Sequence, residues 1–471
     1  MTQRITIIGG GPGGYTAAFA AAKAGAKVTL VEAGRLGGTC LHNGCIPTKT
    51  IKASADALEG ARRLAEFGIA GDCAAAPDMA AIRERKRRVT DVLCGGLEKT
   101  CAKLHIRVVK GMGQIINSGL VRAHLADRAV EEIPGDRIII ATGSKTLNLP
   151  ALPVDHRRII TSDDALELDR VPDSLAVIGG GVIGAELAFI FNALGAKVTV
   201  VEGLDRVLPV PSIDAELSRL TLREMKKRGI ACELASTALD AVVLDEGCVR
   251  VTLGPSPFVD VVPPAAQRER TLKADMVLVA VGRTPNTAGL GLSEAGVILD
   301  KRGWVKADDR METSVPGVYA IGDILGPARI MLAHVAATEA LAAVKNCLGG
   351  DERMDYGVVP AAVFASPELA SVGLTEAQAQ AQGLNAVCAQ SNFRELGKAQ
   401  AMGELAGLFK LVVDADTGRV LGAHIAGAHA SDLIAEAALA MRLKATAADI
   451  ASTIHAHPTL AEGLLETAHL L

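Results

Sequence analysis

The sequence predicts an α/β protein with two Rossmann-like dinucleotide-binding domains and an α+β C-terminal domain. A glycine-rich loop between an apolar strand and an alanine-rich helix lies near the N-terminus, and the same arrangement recurs around residue 180. Beyond Gly349-Gly350 the pattern changes to alternating strands followed by long helices. The chain has 471 residues. About three domains are expected, because one hydrophobic core rarely grows to that size.

Composition excludes several classes of protein. With 49% hydrophobic and 22% charged residues and a net charge of -4, the chain has no electrostatic feature that favours nucleic acid or an anionic membrane. Nine cysteines is an odd number, which argues against a secreted disulfide framework. No signal-peptide pattern and no apolar run of membrane-spanning length is evident. We expect a cytoplasmic enzyme that has no nucleic-acid or membrane partner and no metal site.

The first glycine-rich loop belongs to a complete dinucleotide fingerprint. Its parts in chain order are a strand Ile5–Ile8, the loop Gly9–Gly14, a helix Tyr15–Ala24, a strand Lys27–Val31 and the acid Glu32. A lone glycine motif is weak evidence, but a motif with strand, helix and terminal acid in place is specific.

Each residue type in that fingerprint has a physical task. Gly9 makes the tight turn, Gly11 lets the backbone approach a pyrophosphate, and Gly14 allows the helix to pack closely. Glu32 accepts a hydrogen bond from a ribose hydroxyl.

The fingerprint then repeats. Its parts are a strand Leu175–Ile178, the loop Gly179–Gly184, a helix from Ala185, a strand Lys197–Val201 and the acid Glu202. Two fingerprints in one chain predict two bound dinucleotides and electron transfer between them.

Glu202 also bears on which nicotinamide dinucleotide binds. A carboxylate at this position hydrogen-bonds the ribose diol of NAD and repels the additional phosphate of NADP. Arg206 is near enough in sequence to complicate this interpretation, but it does not remove the acid. We therefore expect NAD.

Two cysteines follow the first fingerprint directly. Cys40 and Cys45 are separated by four residues and can close a small disulfide ring, in which Gly44 relieves backbone crowding. Pro47 fits the first turn of a helix, whose N-terminus together with Lys49 favours thiolate over thiol. The alternative is two buried thiols that form no disulfide, which is common in a reducing compartment. The position beside a dinucleotide fingerprint favours a redox function.

Other segments predict structure more than chemistry. The basic run Arg83–Arg88 predicts a solvated helix face, because Glu84 interrupts it and no aromatic residue accompanies it. The segment Pro255–Arg270 contains four prolines and predicts a surface loop. The segment Arg137–Ser144 predicts a buried strand running into a turn, and Val318–Asp323 predicts a strand ending in an acid. Further predicted elements are the strands Met276–Val281, Pro360–Ala365 and Leu408–Val413, and the helix Ala333–Cys347.

Taken in order along nearly the whole chain, these motifs resemble the flavoprotein disulfide reductases. The resemblance rests on the two fingerprints, the segment Gly38–Lys49, Ala141-Thr142-Gly143, Ala320-Ile321-Gly322-Asp323 and His457-Pro458. It implies that FAD is held by the first fingerprint and NAD by the second. The implied FAD contacts are Gly9, Gly11, Gly14, Glu32, Gly38, Thr39, Lys49, Thr142, Gly143 and Asp323. The implied NAD contacts are Gly179, Gly181, Gly184, Glu186, Glu202 and Gly282.

The resemblance also implies an interrupted domain order. The FAD-binding domain would comprise residues 1–149 and 272–349, and the NAD-binding domain would lie between them at 150–271. The C-terminal domain, 350–471, would be the dimerisation domain.

The same resemblance assigns catalytic roles. Cys40 would exchange with the substrate sulfur, and Cys45 would lie against the flavin and pass electrons to it. Lys49 and Glu186 would form an ion pair beside the flavin.

Near the C-terminus, His457 would be the general base and Glu462 the acid that orients its imidazole. In the family this pair comes from the partner subunit, which implies a homodimer. His455 is expected to be a packed histidine, and His334 is as suited to capping a carbonyl as to acting in catalysis. The seven other cysteines are expected to behave as small hydrophobic residues.

The implied activity is oxidation of a protein-bound dihydrolipoyl group, with electrons passing through the Cys40-Cys45 disulfide and FAD to NAD. The partner would be a lipoylated carrier protein or the E2 subunit of a multienzyme complex. Two alternatives are left open: a related FAD-dependent reductase acting on a different disulfide or a metal ion, and a non-catalytic scaffold descendant. Intact Cys40, Cys45, His457 and Glu462 argue against the scaffold.

Overall fold

The computed structural model describes residues 2–71 and 74–471. Cys73, one of the cysteines expected to be a small hydrophobic residue, lies outside the described residues. The chain divides into two compact units. The first unit comprises Met1–Ser54, Asp78–Leu147 and Gly282–Asp355, and the second comprises Ala55–Pro77, Asn148–Val281 and Tyr356–Leu471. The three predicted domain boundaries stay a prediction, since the two later predicted domains fall together in the second unit.

The helices of the described ranges are numbered in chain order. The α-helices are α1 (Pro12–Lys23), α2 (Gly38–His42), α3 (Cys45–Arg62), α4 (Met79–Lys103), α5 (Ser162–Ala165), α6 (Val182–Leu194), α7 (Ala215–Lys227), α8 (Ala333–Cys347), α9 (Glu376–Ala381), α10 (Gly397–Met402), α11 (Ala430–Arg442), α12 (Ala447–Ser452) and α13 (Glu462–His469). Short 3₁₀ segments occur at Leu64–Phe67, Pro264–Ala266, Gly322–Ala328 and Phe393–Glu395.

The strands are numbered in the same way. Those before residue 200 begin with β1 (Arg4–Ile8), β2 (Lys27–Glu32), β3 (Arg107–Asn117), β4 (Leu120–Leu125), β5 (Val130–Pro134), β6 (Arg137–Ile140), β7 (Ser144–Thr146), β8 (Ile159–Ile160), β9 (Ser174–Ile178) and β10 (Lys197–Val201). The later strands are β11 (Ala231–Glu233), β12 (Ser236–Val243), β13 (Val249–Pro255), β14 (Arg270–Ala274), β15 (Met276–Val279), β16 (Arg283–Pro285), β17 (Val318–Ala320), β18 (Ala361–Val363), β19 (Leu369–Gly373), β20 (Ala386–Asn392), β21 (Leu408–Asp414) and β22 (Val420–Ala426).

The first unit is built on a seven-stranded sheet in the order β17-β6-β1-β2-β3-β4-β5. Its β17, β6, β1, β2 and β3 pair in parallel, and β3, β4 and β5 form an antiparallel extension. Ile138, Ile139 and Ile140 in β6 are each 0% exposed, as expected for a parallel strand covered on both faces. A second small sheet pairs β7 with β16, so the chain leaves this unit beside the point where it returns.

The second unit holds another parallel sheet, in the order β11-β10-β9-β15-β8. An antiparallel three-stranded sheet, β12-β13-β14, is inserted in the chain between β11 and β15 of that sheet. The C-terminal part forms a five-stranded antiparallel sheet, β18-β19-β22-β21-β20, whose neighbours include α11 and α13. The predicted fold class, two Rossmann-like parts and an α+β C-terminal part, is thus confirmed.

Most predicted elements appear within a few residues of their expected ends. The predicted helix Ala333–Cys347 matches α8 at both ends, and the predicted loop from Pro255 runs to the start of β14 with one 3₁₀ turn inside it. Among the described residues, no single helix is long and apolar enough to span a membrane. One sharply bent pair, Gly322–Ala328 with Ala333–Cys347, passes such a test by length and composition only.

The prediction of a wholly solvated face for the basic run was wrong at Lys86. This residue lies in α4 and is only 2% exposed. It falls on the same stripe as the buried residues Met79, Thr90 and Cys94, at spacings of seven and four residues that place side chains on one helix face. Arg85, by contrast, is exposed and donates to the carbonyl of Thr50 at 2.8 Å.

A buried charge cluster connects two parts of the second unit. Lys410 in β21 has a side chain that is 5% exposed. Its Nζ lies 2.7 Å from Oε2 of Glu376, 3.4 Å from Oδ2 of Asp214 and 3.6 Å from Oε2 of Glu216. Burial alone would lower the pKa of Lys410, but the three carboxylates hold it above its usual value.

Asp214 has a structural task as well, because its carboxylate caps α7 by accepting from the backbone N–H of Glu216 at 2.9 Å. Burial would raise the pKa of Asp214, but this hydrogen bond and the charge of Lys410 hold it below its usual value. A group with a depressed pKa stabilises the fold above its unfolded pKa, which is about 4. That contribution is lost as the pH falls through the lower pKa of the folded state.

We predict that Lys410→Met destabilises the protein by about 3 kcal/mol at pH 7, because the substitution leaves buried carboxylates without their cation. The midpoint of urea unfolding measures this, with Lys398→Met, at an exposed lysine, as the matched control. The difference between wild type and Lys410→Met should shrink as the pH falls below about 4, because the contribution of Asp214 is lost as the pH falls toward its lowered folded-state pKa. Equal midpoints for the two variants would contradict the assigned role of the cluster.

Candidate active site

The first fingerprint is a turn that only glycine can make. Gly9 has φ +103°, and a Cβ there would lie 2.3 Å from the carbonyl oxygen of Ala141. A Cβ on Gly14 would lie 1.7 Å from the carbonyl oxygen of Gly9. The N-terminus of α1 is therefore held directly against the end of β1, as the sequence predicts for these two residues.

Gly11 and Gly38 lie against each other. The nearest heavy atom to a Cβ on Gly11 would be the Cα of Gly38, at 3.8 Å. Gly38 itself has φ +58°, and a Cβ there would lie 2.7 Å from the Cα of Gly11. The loop therefore touches the segment that carries the cysteines, and both glycines keep the backbone N–H groups at the start of α1 accessible to a pyrophosphate.

Glu32 is fixed in place by backbone donors. One carboxylate oxygen accepts from the N–H of Gly10 at 2.5 Å, and the other accepts from the N–H of Gly34 at 2.6 Å. A carboxylate has about four acceptor positions, so two remain for the hydroxyls of a ribose.

The second fingerprint repeats this geometry. Gly179 has φ +105°, and a Cβ there would lie 2.4 Å from the carbonyl oxygen of Ala280. A Cβ on Gly184 would lie 1.9 Å from the carbonyl oxygen of Gly179. A Cβ on Gly181 would meet no heavy atom within 4 Å, which leaves space at the N-terminus of α6 for a pyrophosphate.

Glu202 is held in the same way as Glu32. Its carboxylate accepts from the N–H of Gly180 at 2.6 Å and from the N–H of Leu204 at 2.8 Å. Arg206, the residue that complicated the choice of nucleotide, donates instead to the carbonyls of Ile213 and Val210 at 3.1 and 3.4 Å. Its guanidinium is therefore engaged within its own loop, and both sites fit the diphosphate and ribose of a dinucleotide.

The two cysteines lie on consecutive short elements. Cys40 is in α2 and Cys45 begins α3, with Pro47 in its first turn as predicted. A Cβ on Gly44 would lie 2.9 Å from the carbonyl oxygen of Thr39, so this glycine does relieve crowding between them. Both cysteines are partly buried.

The cysteines interact as a pair. The side-chain hydrogen bond between Cys40 and Cys45 raises the pKa of Cys40, burial raises it further, and the charge of Lys49 opposes both effects. The net effect is a raised pKa for the Cys40 thiol. The phenol of Tyr15, which the sequence interpretation did not single out, has its pKa raised by burial and then by negative charge on the two sulfurs.

Asp323 lies in a network that the sequence interpretation also missed. Its Oδ2 accepts from the hydroxyl of Ser144 at 2.6 Å and lies 3.8 Å from Nε of Arg283. Arg283 donates in turn to the hydroxyl and carbonyl of Ser144 at 2.6 and 2.8 Å. In the sequence, the position of Arg283 directly after Gly282, at the end of a predicted strand, was the signal that could have indicated its role.

The neighbouring predicted residues are fixed by backbone contacts. The hydroxyl of Thr142 donates to the carbonyl of Asn286 at 2.9 Å, and Gly143 accepts from the N–H of Asn286 at 3.0 Å. The carbonyl of Gly282 accepts from the N–H of Leu147 at 3.1 Å. Gly282 falls in the first unit, and its role as an NAD contact stays a prediction.

Near the C-terminus, His457 and Glu462 form a hydrogen bond of 2.8 Å between Nδ1 and Oε1. The other carboxylate oxygen of Glu462 accepts from the N–H of Thr459 at 2.8 Å. These two hydrogen bonds lower the pKa of Glu462, the Thr459 bond most. The His457 side chain is 76% exposed, so its Nε2 is available to a group outside this segment.

His455 and His334, the two other histidines weighed from the sequence, differ from His457. The His455 side chain is 5% exposed and bonds Glu436 at 2.9 Å and the carbonyl of Thr453 at 2.8 Å, as expected of a packed residue. His334 is exposed in the first turn of α8.

Glu186, the last predicted nucleotide contact, is buried in the second unit. It is 5% exposed and accepts from the N–H of Phe364 at 2.9 Å. Its predicted ion pair with Lys49 stays a prediction.

Of the other described cysteines, Cys94, Cys101 and Cys347 are buried, and Cys232, Cys248 and Cys388 are partly exposed.

Comparison with known proteins places this geometry in a family. Residues 3–340 match the model of the pyridine nucleotide-disulphide oxidoreductases, and residues 359–468 match the dimerisation domain of the same family. The chain is 40% identical to the dihydrolipoyl dehydrogenase of Haloferax volcanii over 466 residues, which is 98% of this chain and 95% of that protein. It is 39% identical to the dihydrolipoyl dehydrogenase of Chlamydia pneumoniae over 478 residues, covering 100% of this chain and 99% of that protein.

A solved structure supports the same family membership. The crystal structure of LpdA (Rv3303c) from Mycobacterium tuberculosis superimposes with a TM-score of 0.90 at 29% identity, covering 100% of this chain and 99% of that one. Two dinucleotide fingerprints, a cysteine pair joined to the first of them and a C-terminal dimerisation domain thus have one explanation: this chain belongs to the pyridine nucleotide-disulphide oxidoreductase family.

Proposed function

We propose that the protein is an FAD-dependent dihydrolipoyl dehydrogenase that uses NAD. The carrying observation is the hydrogen-bonded pair Cys40 and Cys45, held against the first dinucleotide loop where Gly38 meets Gly11. The full-length similarity to dihydrolipoyl dehydrogenases supports the same reaction.

The reaction balances as a two-electron oxidation. A dihydrolipoyl dithiol loses two electrons and two protons and closes to a cyclic disulfide. NAD takes up the electron pair and one proton as hydride, and the second proton leaves through a base. When bound, FAD supplies the acceptor that receives the electron pair from the enzyme thiols and returns it as hydride to NAD.

The enzyme cysteines carry the first part by thiol–disulfide exchange. In the oxidised enzyme a substrate thiolate attacks Cys40, the S–S bond to Cys45 breaks, and Cys45 leaves as a thiolate. The second substrate sulfur then displaces Cys40, which releases the lipoyl disulfide. The environment of Cys40 supports this division, since its hydrogen bond to Cys45 and its burial raise its pKa and keep it protonated in the reduced enzyme.

His457 acts as the general base for the substrate dithiol. Its Nδ1 is bonded to Glu462, so Nε2 is the atom that takes the proton, and the carboxylate stabilises the imidazolium that results. Glu462 is ionised at neutral pH, because two donors lower its pKa. The ion pair of Lys49 with Glu186 belongs to the same proposal, as a fixed charge pair near the flavin.

The working form in this proposal is a homodimer. Residues 359–468 match a dimerisation domain, and the 76% exposure of the His457 side chain within one chain suits a base that serves the partner subunit. The substrate partner is a lipoylated carrier protein or an E2 subunit of a multienzyme complex, and the cytoplasm is the compartment, where a cysteine pair can be reduced and re-oxidised.

Steady-state turnover of dihydrolipoamide tests the function and the nucleotide together. We predict turnover with NAD and a much lower kcat/KM with NADP. Glu202→Ala should lower kcat/KM for NAD about tenfold or more, because a hydrogen bond to a charged group contributes about 1.5–3 kcal/mol, and should narrow the preference over NADP. Glu246→Ala, at an exposed acid outside the fingerprint, is the control. Equal wild-type turnover with NADP would refute the nucleotide assignment.

A second prediction concerns the subunit that supplies the base. Cys45→Ser and His457→Gln chains should each be inactive with dihydrolipoamide, whereas reassorted heterodimers have one site in which both groups are intact. An equal mixture should therefore regain about a quarter of wild-type activity. A mixture that stays inactive after verified subunit exchange, or full activity in a monomer, would contradict a base supplied in trans.

A third prediction separates the two thiols by their ionisation. The hydrogen bond to Cys45 raises the pKa of Cys40, so Cys45→Ser should lower that pKa and move the alkylation of Cys40 by iodoacetamide to lower pH. The pH dependence of the alkylation rate in the reduced enzyme measures the change. Cys232→Ser, at a cysteine outside the pair, should leave the profile unchanged.

A further inference from the structure

Phe258 is an exposed aromatic residue in a chain that has few. Only 3% of the residues are aromatic, and the Phe258 ring is 68% exposed. It lies in the proline-rich segment between β13 and β14. Isolated exposed apolar residues are common on protein surfaces, so the position of this ring, more than its exposure, is what requires an explanation.

The ring lies at the end of the strand that carries the second ribose-binding acid. Gly203 follows Glu202 directly, and a Cβ on Gly203 would lie 2.9 Å from Cδ2 of Phe258. Any larger residue at 203 would displace the ring. The absence of a side chain there lets Phe258 approach the backbone one residue beyond the carboxylate.

Backbone hydrogen bonds fix this placement. The N–H of Ser256 donates to the carbonyl of Ala235 at 3.1 Å, and the N–H of Ala235 donates to the carbonyl of Leu204 at 2.9 Å. The hydroxyl of Ser256, which is 4% exposed, accepts from the N–H of Phe258 at 3.2 Å. The segment around Phe258 is therefore tied to the residues that follow Glu202, within a single unit of the structure.

The chemistry of a dinucleotide shows what such a ring can do. Glu202 binds the hydroxyls of the adenosine ribose, and adenine is bonded directly to that ribose, so the base lies within about one ring width of the carboxylate. An aromatic face beside that ribose can stack on the purine, and base–aromatic stacking contributes more than simple apolar contact.

We propose that Phe258 stacks on the adenine of NAD and sets the affinity of the second site for the adenosine half of the nucleotide. This inference rests on the proposed function only for the identity of the dinucleotide. It assigns the ring to binding, not to the transfer of electrons, so its loss should raise KM for NAD and leave kcat nearly unchanged.

The test is calorimetric titration of the FAD-loaded enzyme with ADP-ribose, which contains the adenosine and diphosphate of NAD and lacks the nicotinamide. Phe258→Ala should raise the Kd for ADP-ribose about tenfold, as expected for the loss of one base-stacking contact. Phe258→Tyr keeps an aromatic face and should stay within about twofold of wild type. Val261→Ala, at a residue of the same segment that is 79% exposed, is the matched control.

The outcomes are distinct. An unchanged Kd in Phe258→Ala, or an equal loss in Val261→Ala, would overturn the stacking role. Flavin content and melting temperature verify that each variant is folded, and Phe258→Tyr tests the ring without removing it. Because ADP-ribose binding is measured without a dithiol, failure of dihydrolipoamide turnover would count against the proposed function and leave this result standing.

Discussion

The close approach of a helix to the turn before it is the constraint on which both nucleotide sites depend. At Gly14 and again at Gly184 the space for a Cβ is already filled by a carbonyl oxygen less than 2 Å away. Any other residue would push the helix away from its strand and carry the N-terminal N–H groups out of reach of a diphosphate. The acids at the ends of β2 and β10 then define the far side of each site, because backbone donors hold their carboxylates in one orientation.

Local patterns were enough to predict these sites, because everything that forms a fingerprint lies within about thirty consecutive residues. The glycine spacing, the apolar strands and the terminal acids all appeared where expected. Residues whose environment depends on tertiary packing were harder to predict. Lys86 looks like any other cation of its basic run, and only the stripe set by the packing of α4 explains its burial. Lys410 and Asp214 are 196 residues apart, and no local pattern in the chain indicates that they meet.

The same distinction applies to the reacting groups. The cysteine pair was predictable because its spacing, its glycine and its helix start are contiguous. The structure added a side-chain hydrogen bond between the two cysteines, which raises the pKa of Cys40. The His457–Glu462 hydrogen bond likewise joins residues five positions apart. Ser144 and Arg283, which hold Asp323, are brought together only when two distant strands pair, so no short motif includes both.

The pairing of β7 with β16 also constrains how the protein is made. The N–H of Leu147 and the carbonyl of Gly282 are 3.1 Å apart, so the 134 residues between them begin and end at nearly the same point. The ribosome must synthesise that whole segment, and more, before β17 exists to cover the edge of β6. At about 5–20 residues per second this takes roughly ten seconds or longer. During that interval the edge of β6 has no partner strand, so the first unit cannot complete its sheet until most of the chain has been made.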